Sequence, residues 1–399
     1  MDPIKITENV YWVGAIDWNV RDFHGYSTAE GTTYNAYLIL DDKIALIDFV
    51  KGPFVKDLLQ GIRALVDPKD IDIVISNHTE SDHSGALPHV MHAVGKEKPL
   101  YCSVMGGKNL PMHYGNEYNY RVVRDGETLS LGKRTLTFLE TRMLHWPDSM
   151  FTYMNEDKVL FSSDAFGQHY AGLERFDDEI GDAIMPHALK YFANILTPYS
   201  PLILKLVERV QKLGVEFSII CPDHGIIWRT DPGKIIQSYV DWSLQKPCQR
   251  AVVLYDTMWG STRTMAETIT ETLGQEGVEA RSMHLRACHR SDVMTLVHQA
   301  GAVVVGSPTL NQGLFPTVAD FLTYMKGLRP ANKIGAAFGS YGWSPKADKV
   351  ILDELKATGM HTVEPALNIQ FVPDDEGRRA CRAFAKRVAD VLKQHIAGS

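Results

Sequence analysis

The run His78-Thr79-Glu80-Ser81-Asp82-His83 places four metal-capable side chains within six residues, directly after the strand-like stretch IDIVIS. In a loop, that spacing can aim alternate ligands at two adjacent metal ions. The same order, strand and then ligand, recurs three times. TLTFLETRML leads into His145, KVLFSS into Asp164, and FSIIC into His224. Ligands at the ends of neighbouring strands converge on one crevice, where layered α/β folds place their sites. A lone histidine after a strand is usually a surface or core residue; four such segments together point to a metal centre.

A second set of chemically suggestive residues lies beyond residue 250. Thr257-Met258-Trp259-Gly260-Ser261-Thr262 follows AVVLYD and precedes a helical pattern. Such a junction offers hydroxyl and main-chain N–H donors at a helix N-terminus, a ready phosphate site. It is neither a Walker loop nor GxGxxG, which disfavours a dinucleotide fold. The next two strand ends carry Ser307, Pro308, Thr309, Asn311 and Gly313, then Ser340, Tyr341, Gly342 and Trp343. Trp259, Tyr341 and Trp343 can cover a flat ring, and the glycines allow backbone to approach it.

The elements that must position these groups change character along the chain. Up to about residue 245, β-rich runs such as TYNAYLIL, KIALIDF, DIDIVIS and TLTFLE alternate with turns, and two helical pieces stand out, PFVKDLLQGIRALV and SPLILKLVERVQKLG. This predicts a layered α/β or α+β domain. From Arg250 onward, strands and helices alternate regularly in about five βα units, the layout of a doubly wound parallel sheet. The boundary is expected at residues 248/249, giving domains 1–248 and 249–399. The length of 399 residues suits two domains.

Composition narrows the alternatives. A net charge of −7 disfavours a nucleic-acid binder. Cys102, Cys221, Cys248, Cys288 and Cys381 form no CxxC, which removes a zinc ribbon, a rubredoxin-type iron site and a cluster built from local cysteine motifs. Scattered, odd-numbered cysteines read as reduced thiols. The N-terminal MDPIKITENVYWVG has no apolar core of signal-peptide length, and the longest apolar runs are strand-sized. A cytoplasmic protein with no membrane contact is expected.

The metal segments resemble the metallo-β-lactamase superfamily, whose signature is HxHxDH, with Glu80 standing where the second histidine would be. The resemblance implies His78, Glu80 and His145 on one metal, Asp82, His83 and His224 on the other, and Asp164 bridging. Hard carboxylates beside imidazoles suit non-haem iron, although zinc also accepts carboxylates. The three loops of the second half resemble flavodoxin and imply FMN at the switch point of a sheet ordered 2-1-3-4-5. The whole chain is similar to the flavodiiron proteins, in the two-domain form without an appended rubredoxin or flavin reductase module. That resemblance implies an N-terminal αβ/βα sandwich, two non-haem irons and one FMN per chain, and reduction of nitric oxide to nitrous oxide, dioxygen to water, or both. Two ferrous ions and one reduced FMN together match the electrons that dioxygen needs to become two waters. It further implies an external donor, either rubredoxin or a reduced deazaflavin coenzyme, and a head-to-tail homodimer or a homotetramer built from two.

Around the metals, His24 and Tyr191 are candidate hydrogen-bond donors to the gas-binding side. His169 is either a spare ligand or pocket lining, and Trp146 is packing. Asp148 and Asp223 are either anchors for ligand imidazoles or turn residues. The competing function is a metal-dependent hydrolase with a flavodoxin-like passenger domain. A bare electron carrier would leave the metal ligands unexplained.

Overall fold

A computed structural model describes residues 2–398. The chain forms two units. One comprises the residues up to His24 together with Thr28–Tyr191 and Pro201–Val240; the other comprises Gly25–Ser27, Phe192–Ser200 and the chain from Asp241 onward. The two short segments count with the second unit because they bond into it. Ser27 Oγ lies 3.1 Å from Ser291 Oγ, and Asn194 Nδ2 donates to the Ser291 carbonyl at 3.0 Å.

The first unit is built on two sheets. Seven strands run in the order Ile4–Lys5, Val10–Trp12, Tyr37–Ile39, Ile44–Ile47, Ile71–Ser76, Pro99–Cys102, Asn119–Val122. Five more run Thr128–Ser130, Thr135–Glu140, Met150–Met154, Val159–Phe161, Ile219–Cys221. Side chains alternate across a strand, and the cores follow that period. Tyr37, Ile39, Ala45, Ile47, Ile73 and Ile75 meet Leu136, Phe138, Met154 and Phe161 between the sheets. Leu38, Leu46 and Val74 point the other way, onto Leu58, Ile62, Val90, Met91 and Leu110 of the flanking helices. This is the expected αβ/βα sandwich.

Two local differences from the sequence reading have clear causes. TYNAYLIL is not one strand but two, Thr32–Tyr34 and Tyr37–Ile39. Asn35 interrupts it, donating from its main-chain N to the Asp223 carbonyl at 2.8 Å and from Nδ2 to the Pro222 carbonyl at 2.7 Å. Helices Leu87–Val94, Gly106–Tyr114 and Pro232–Leu244 add to the two anticipated ones. The second of these holds two glycines and an internal Pro111, so propensity alone argues against it.

The second unit is a five-stranded parallel sheet. Numbered within the unit, its strands Arg250–Tyr255, Glu279–His284, Ala302–Pro308, Ile334–Tyr341 and His361–Gln370 run in the order 2-1-3-4-5. Both faces are covered. Val253, Val304 and Ala336 pack on helices Ser261–Gln275 and Asp375–Ala397, while Val252, Leu254 and Val305 pack on Arg290–Gln299, Pro316–Leu328 and Ala347–Ala357. That two-sided burial explains why AVVLY and AVVV are continuous apolar runs. Among the described residues, no helix is long and apolar enough to cross a membrane.

Candidate functional site

The strand Ile71–Ser76 ends where Asp48 captures Asn77. Its carboxylate accepts from the Asn77 main-chain N at 2.7 Å and from Nδ2 at 2.6 Å. The chain then passes His78 and Glu80 in extended form and enters one helical turn, Ser81–Ser84, closed by Ser84 Oγ donating to the Thr79 and Glu80 carbonyls. His78 and Glu80 therefore face one way, Asp82 and His83 another. His145 sits in the loop between Thr135–Glu140 and Met150–Met154, which is pinned by Thr141 N to the Ser149 carbonyl at 3.0 Å. Asp164 and His224 are side by side because Val159–Phe161 and Ile219–Cys221 stay bonded past their ends. Ser162 N donates to the Cys221 carbonyl and Asp223 N to the Ser163 carbonyl.

Seven side chains thus form two clusters that share Asp164. In the first, His78 Nε2 lies 3.0 Å from Asp164 Oδ2 and 3.7 Å from Glu80 Oε2, and His145 Nε2 lies 2.9 Å and 3.2 Å from the same two oxygens. In the second, His83 Nε2 lies 3.1 Å from Asp82 Oδ2 and 3.2 Å from Asp164 Oδ1. His224 Nε2 lies 3.2 Å and 3.6 Å from those oxygens and 3.0 Å from His83 Nε2. Atoms bound at about 2.0–2.2 Å to a common ion stand roughly 3.0–3.5 Å apart, so both groups have the dimensions of a metal's ligand shell.

The electrostatics fit a cation pair. Burial alone would push the carboxyls of Glu80, Asp82 and Asp164 up, but the surrounding imidazoles outweigh it and hold all three below the usual range. Conversely, burial would lower the imidazoles, yet the carboxylates, Asp164 foremost at His78 and Asp82 at His83, raise both, and His145 stands at about 9. Asp82 Oδ1 is buried without a hydrogen-bond partner, and the other cluster carboxylate oxygens face imidazole nitrogens. A buried cluster of three carboxylates calls for positive charge. The donors are carboxylate and imidazole with no thiolate, a set suited to iron.

The imidazoles are oriented from behind. His224 Nδ1 lies 2.6 Å from the Thr33 carbonyl, and His78 Nδ1 lies 3.0 Å from Ser163 Oγ. Asp223 Oδ2 stands between them and the next ring, 3.8 Å from His78 Nδ1 and 3.9 Å from His83 Nδ1. Of the two carboxylates read as anchors, Asp223 is the nearer, but it too stands beyond hydrogen-bond distance of the imidazoles. The Asp148 carboxylate contacts no ligand imidazole within hydrogen-bond distance, and its main-chain carbonyl instead accepts from Ser103 Oγ. Thr33 and Ser163 escaped the sequence reading. The first acts through its carbonyl, and the second is signalled only by adjacency to Asp164.

His24 Nε2 lies 3.0 Å from Glu80 Oε1, the oxygen turned away from His78 and His145, with its side chain half exposed. His169 Nδ1 lies 2.9 Å from Thr32 Oγ1, and its ring flanks that of His224 at 4.7 Å. The Tyr191 ring stands 5.1 Å from His169 and 6.1 Å from His224, and burial pushes its phenol well up. Both line the histidine side of the cluster, and His169 belongs to none of its groups of metal-capable side chains. The Trp146 ring packs edge-on to His78 at 6.4 Å.

In the second unit, a cavity of about 490 Å³ opens at the C-terminal ends of the strands. Thr257, Met258, Trp259 and Ser261 line it from the first loop, Pro308, Thr309 and Asn311 from the second, and Ser340, Tyr341, Gly342 and Trp343 from the third. Four residues read as binding do not line it; they shape the loops that do. Gly260, at φ +95°, donates its N–H to Thr257 Oγ1 and opens helix Ser261–Gln275. Thr262 Oγ1 meets Ser340 Oγ at 2.8 Å, joining the first loop to the third. Ser307 Oγ accepts from Phe315 N at 3.0 Å. Gly313 exchanges main-chain bonds with Leu310 around Asn311 and Gln312, both at positive φ, a tight two-residue turn. Leu310, Gln312, Ser344, Phe371 and Val372 complete the wall. The helix N-terminus suits a phosphate. The apolar wall, with Trp259 and Trp343 at 93% and 89% exposure, suits a planar ring.

Comparison with known proteins agrees with this layout. A family profile described as ODP family beta lactamase matches residues 32–225, and the Flavodoxin profile matches 253–384. The chain is 46% identical to a nitric oxide reductase of Moorella thermoacetica, over 97% of this chain and 99% of that one. It is 45% identical to a rubredoxin-oxygen oxidoreductase of Megalodesulfovibrio gigas, over the full length of both. A solved flavodiiron protein from Giardia intestinalis superposes with a TM-score of 0.95 at 34% identity, covering 100% of this chain and 98% of that one. The chain belongs to the flavodiiron proteins, oxidoreductases that join a metallo-β-lactamase-like domain with a non-haem di-iron centre to a flavodoxin-like FMN domain.

Proposed function

We propose that this chain reduces nitric oxide to nitrous oxide, dioxygen to water, or both. His78, Glu80 and His145 hold one iron, Asp82, His83 and His224 the other, and Asp164 bridges them. The observation that carries this reading is the division of Asp164, whose Oδ2 belongs to one cluster and Oδ1 to the other. Two irons held there would supply a site for the gas and electrons for its reduction, and an FMN in the second unit would supply electrons in turn. The chain's own contribution is to hold imidazole nitrogens in place from Thr33 and Ser163, and to set His24 where a proton can pass between solvent and Glu80 Oε1.

The 490 Å³ cavity would hold FMN, the N-terminus of helix Ser261–Gln275 offering donors for its phosphate and Trp259 and Trp343 apolar surface for its ring. The sequence boundary between the two domains is placed at residues 248/249, just before the strand Arg250–Tyr255, although the chain already packs with the second unit from Asp241 onward. Rubredoxin is the proposed donor, since the name of one full-length relative carries it. A reduced deazaflavin coenzyme is the alternative. The protein works in the cytoplasm as a head-to-tail homodimer, an assembly supported by the exposed apolar rim of Trp259, Trp343, Phe371 and Val372. Anaerobic stopped-flow with each reduced donor, followed by each gas, tests the reading. Rapid oxidation of the enzyme by at least one gas is expected; inertness to both would overturn it.

A further inference from the structure

Asp256 is the residue immediately before the Thr257–Ser261 loop, and it is fully buried. Its Oδ1 accepts from Thr257 N at 2.6 Å and from Arg286 Nη2 at 2.6 Å, and lies 3.1 Å from His284 Nε2. Its Oδ2 accepts from Thr317 Oγ1. Arg286 Nη2 also donates to the Thr257 carbonyl at 2.8 Å, and the guanidinium lies over the Phe315 ring, 4.8 Å from its centroid. Asp256 therefore ties the first loop to the end of the strand Glu279–His284 through His284, to the helical turn Leu285–Ala287 through Arg286, and to the first turn of helix Pro316–Leu328 through Thr317.

A carboxylate here is electrostatically awkward, because the adjoining loop must receive a phosphate. Burial would push the Asp256 carboxyl up, but Arg286 and then Thr317 outweigh it and hold it at about 2, so it is ionised at neutral pH. An uncompensated charge at that position would oppose a phosphate in the same loop.

We propose that Arg286 is a positioning residue for the flavin phosphate, cancelling the charge of Asp256 and fixing the amide and carbonyl of Thr257 so that the loop takes FMN in preference to riboflavin. The proposal rests on reading the cavity as the FMN site. The test titrates the flavin-stripped full-length chain with FMN and with riboflavin. The wild-type chain is expected to favour FMN. Arg286→Gln should weaken FMN roughly tenfold to a hundredfold while changing riboflavin less than about threefold. Arg286→Lys keeps the charge but loses the fork, and intermediate FMN affinity is expected. In the double variant Asp256→Asn/Arg286→Gln the stranded charge is gone, so FMN affinity should exceed that of Arg286→Gln alone.

Equal weakening of both flavins, unchanged FMN binding, or a double variant no better than the single would overturn the role of Arg286 and leave the cavity reading standing. A wild-type chain that binds FMN no better than riboflavin would overturn both.

Discussion

The metal cluster and the flavin cavity both stand at strand ends, each within its own unit, but they are prepared for their cargo in opposite ways. In the cluster, His78, Asp82, His83, Asp164 and His224 are buried, and the carboxylates are ionised before any metal arrives. The flavin cavity is walled largely by apolar surface, and its two tryptophans stand almost fully exposed. The contrast follows from what each cargo offers. An ion repays the burial of several carboxylates only when its ligands already stand at bonding separation. A flat aromatic ring brings its own driving force, the removal of apolar surface from water, and needs a shape more than a fixed set of atoms.

If that contrast holds, damage should stay in the unit where it is made. The largest effect is expected for Asp164→Ala, which removes an oxygen from both clusters at once. Iron occupancy and gas reduction should be lost while the flavin spectrum of the purified protein persists. Turnover that survives this change would break the bridging assignment. A smaller loss is expected for Asp223→Ala, which leaves all seven cluster side chains but removes the buried carboxyl group behind His78 and His83. Iron affinity should fall about tenfold to a hundredfold in a chelator competition, with FMN content unchanged.

On the other side, Trp343→Ala should cost FMN binding about 0.5–1.5 kcal/mol by fluorescence titration, without touching iron content. An iron loss in that variant would show that the two sites are not independent.

A further effect is one of pH and concerns neither site. Lys333 Nζ is buried and donates to the carbonyls of His298 and Ala300 at the end of helix Arg290–Gln299, and burial brings its ammonium down to about 8 from 10.5. Protonation therefore favours the unfolded chain. The cost is fully present below about pH 8 and is relieved as pH rises toward 10.5. Chemical denaturation across that interval should show stability rising more for the wild type than for Lys333→Met, by at most about 3 kcal/mol.

The same contrast governs what could be read from residue order alone. Histidines and carboxylates at strand ends are scarce and their spacing carries meaning, so the cluster of His78, Glu80, Asp82, His83, His145, Asp164 and His224 was visible once each segment was seen to follow a strand. The groups behind them were mostly hidden. Thr33 contributes a carbonyl that any residue could supply, and Asn35, which breaks TYNAYLIL and anchors the loop of His224, looks like an ordinary polar residue in a strand. At the flavin cavity, glycine, serine and threonine mark where loops bend rather than what they touch. Gly260, Thr262, Ser307 and Gly313 accordingly shape the wall from behind. Phe371 and Val372 reach it from the segment after the last strand, which carries no such mark. The parallel order of the second sheet was legible because two-sided burial writes continuous apolar runs. The helix Gly106–Tyr114 was not, because its two glycines and Pro111 oppose the state that packing of Leu110 imposes.

Two kinds of cargo in one chain are most directly tested by the metal and flavin content of the protein purified anaerobically. About two irons and one FMN per chain are predicted. A chain that carries zinc alone and no flavin would contradict the account and favour a metal-dependent hydrolase.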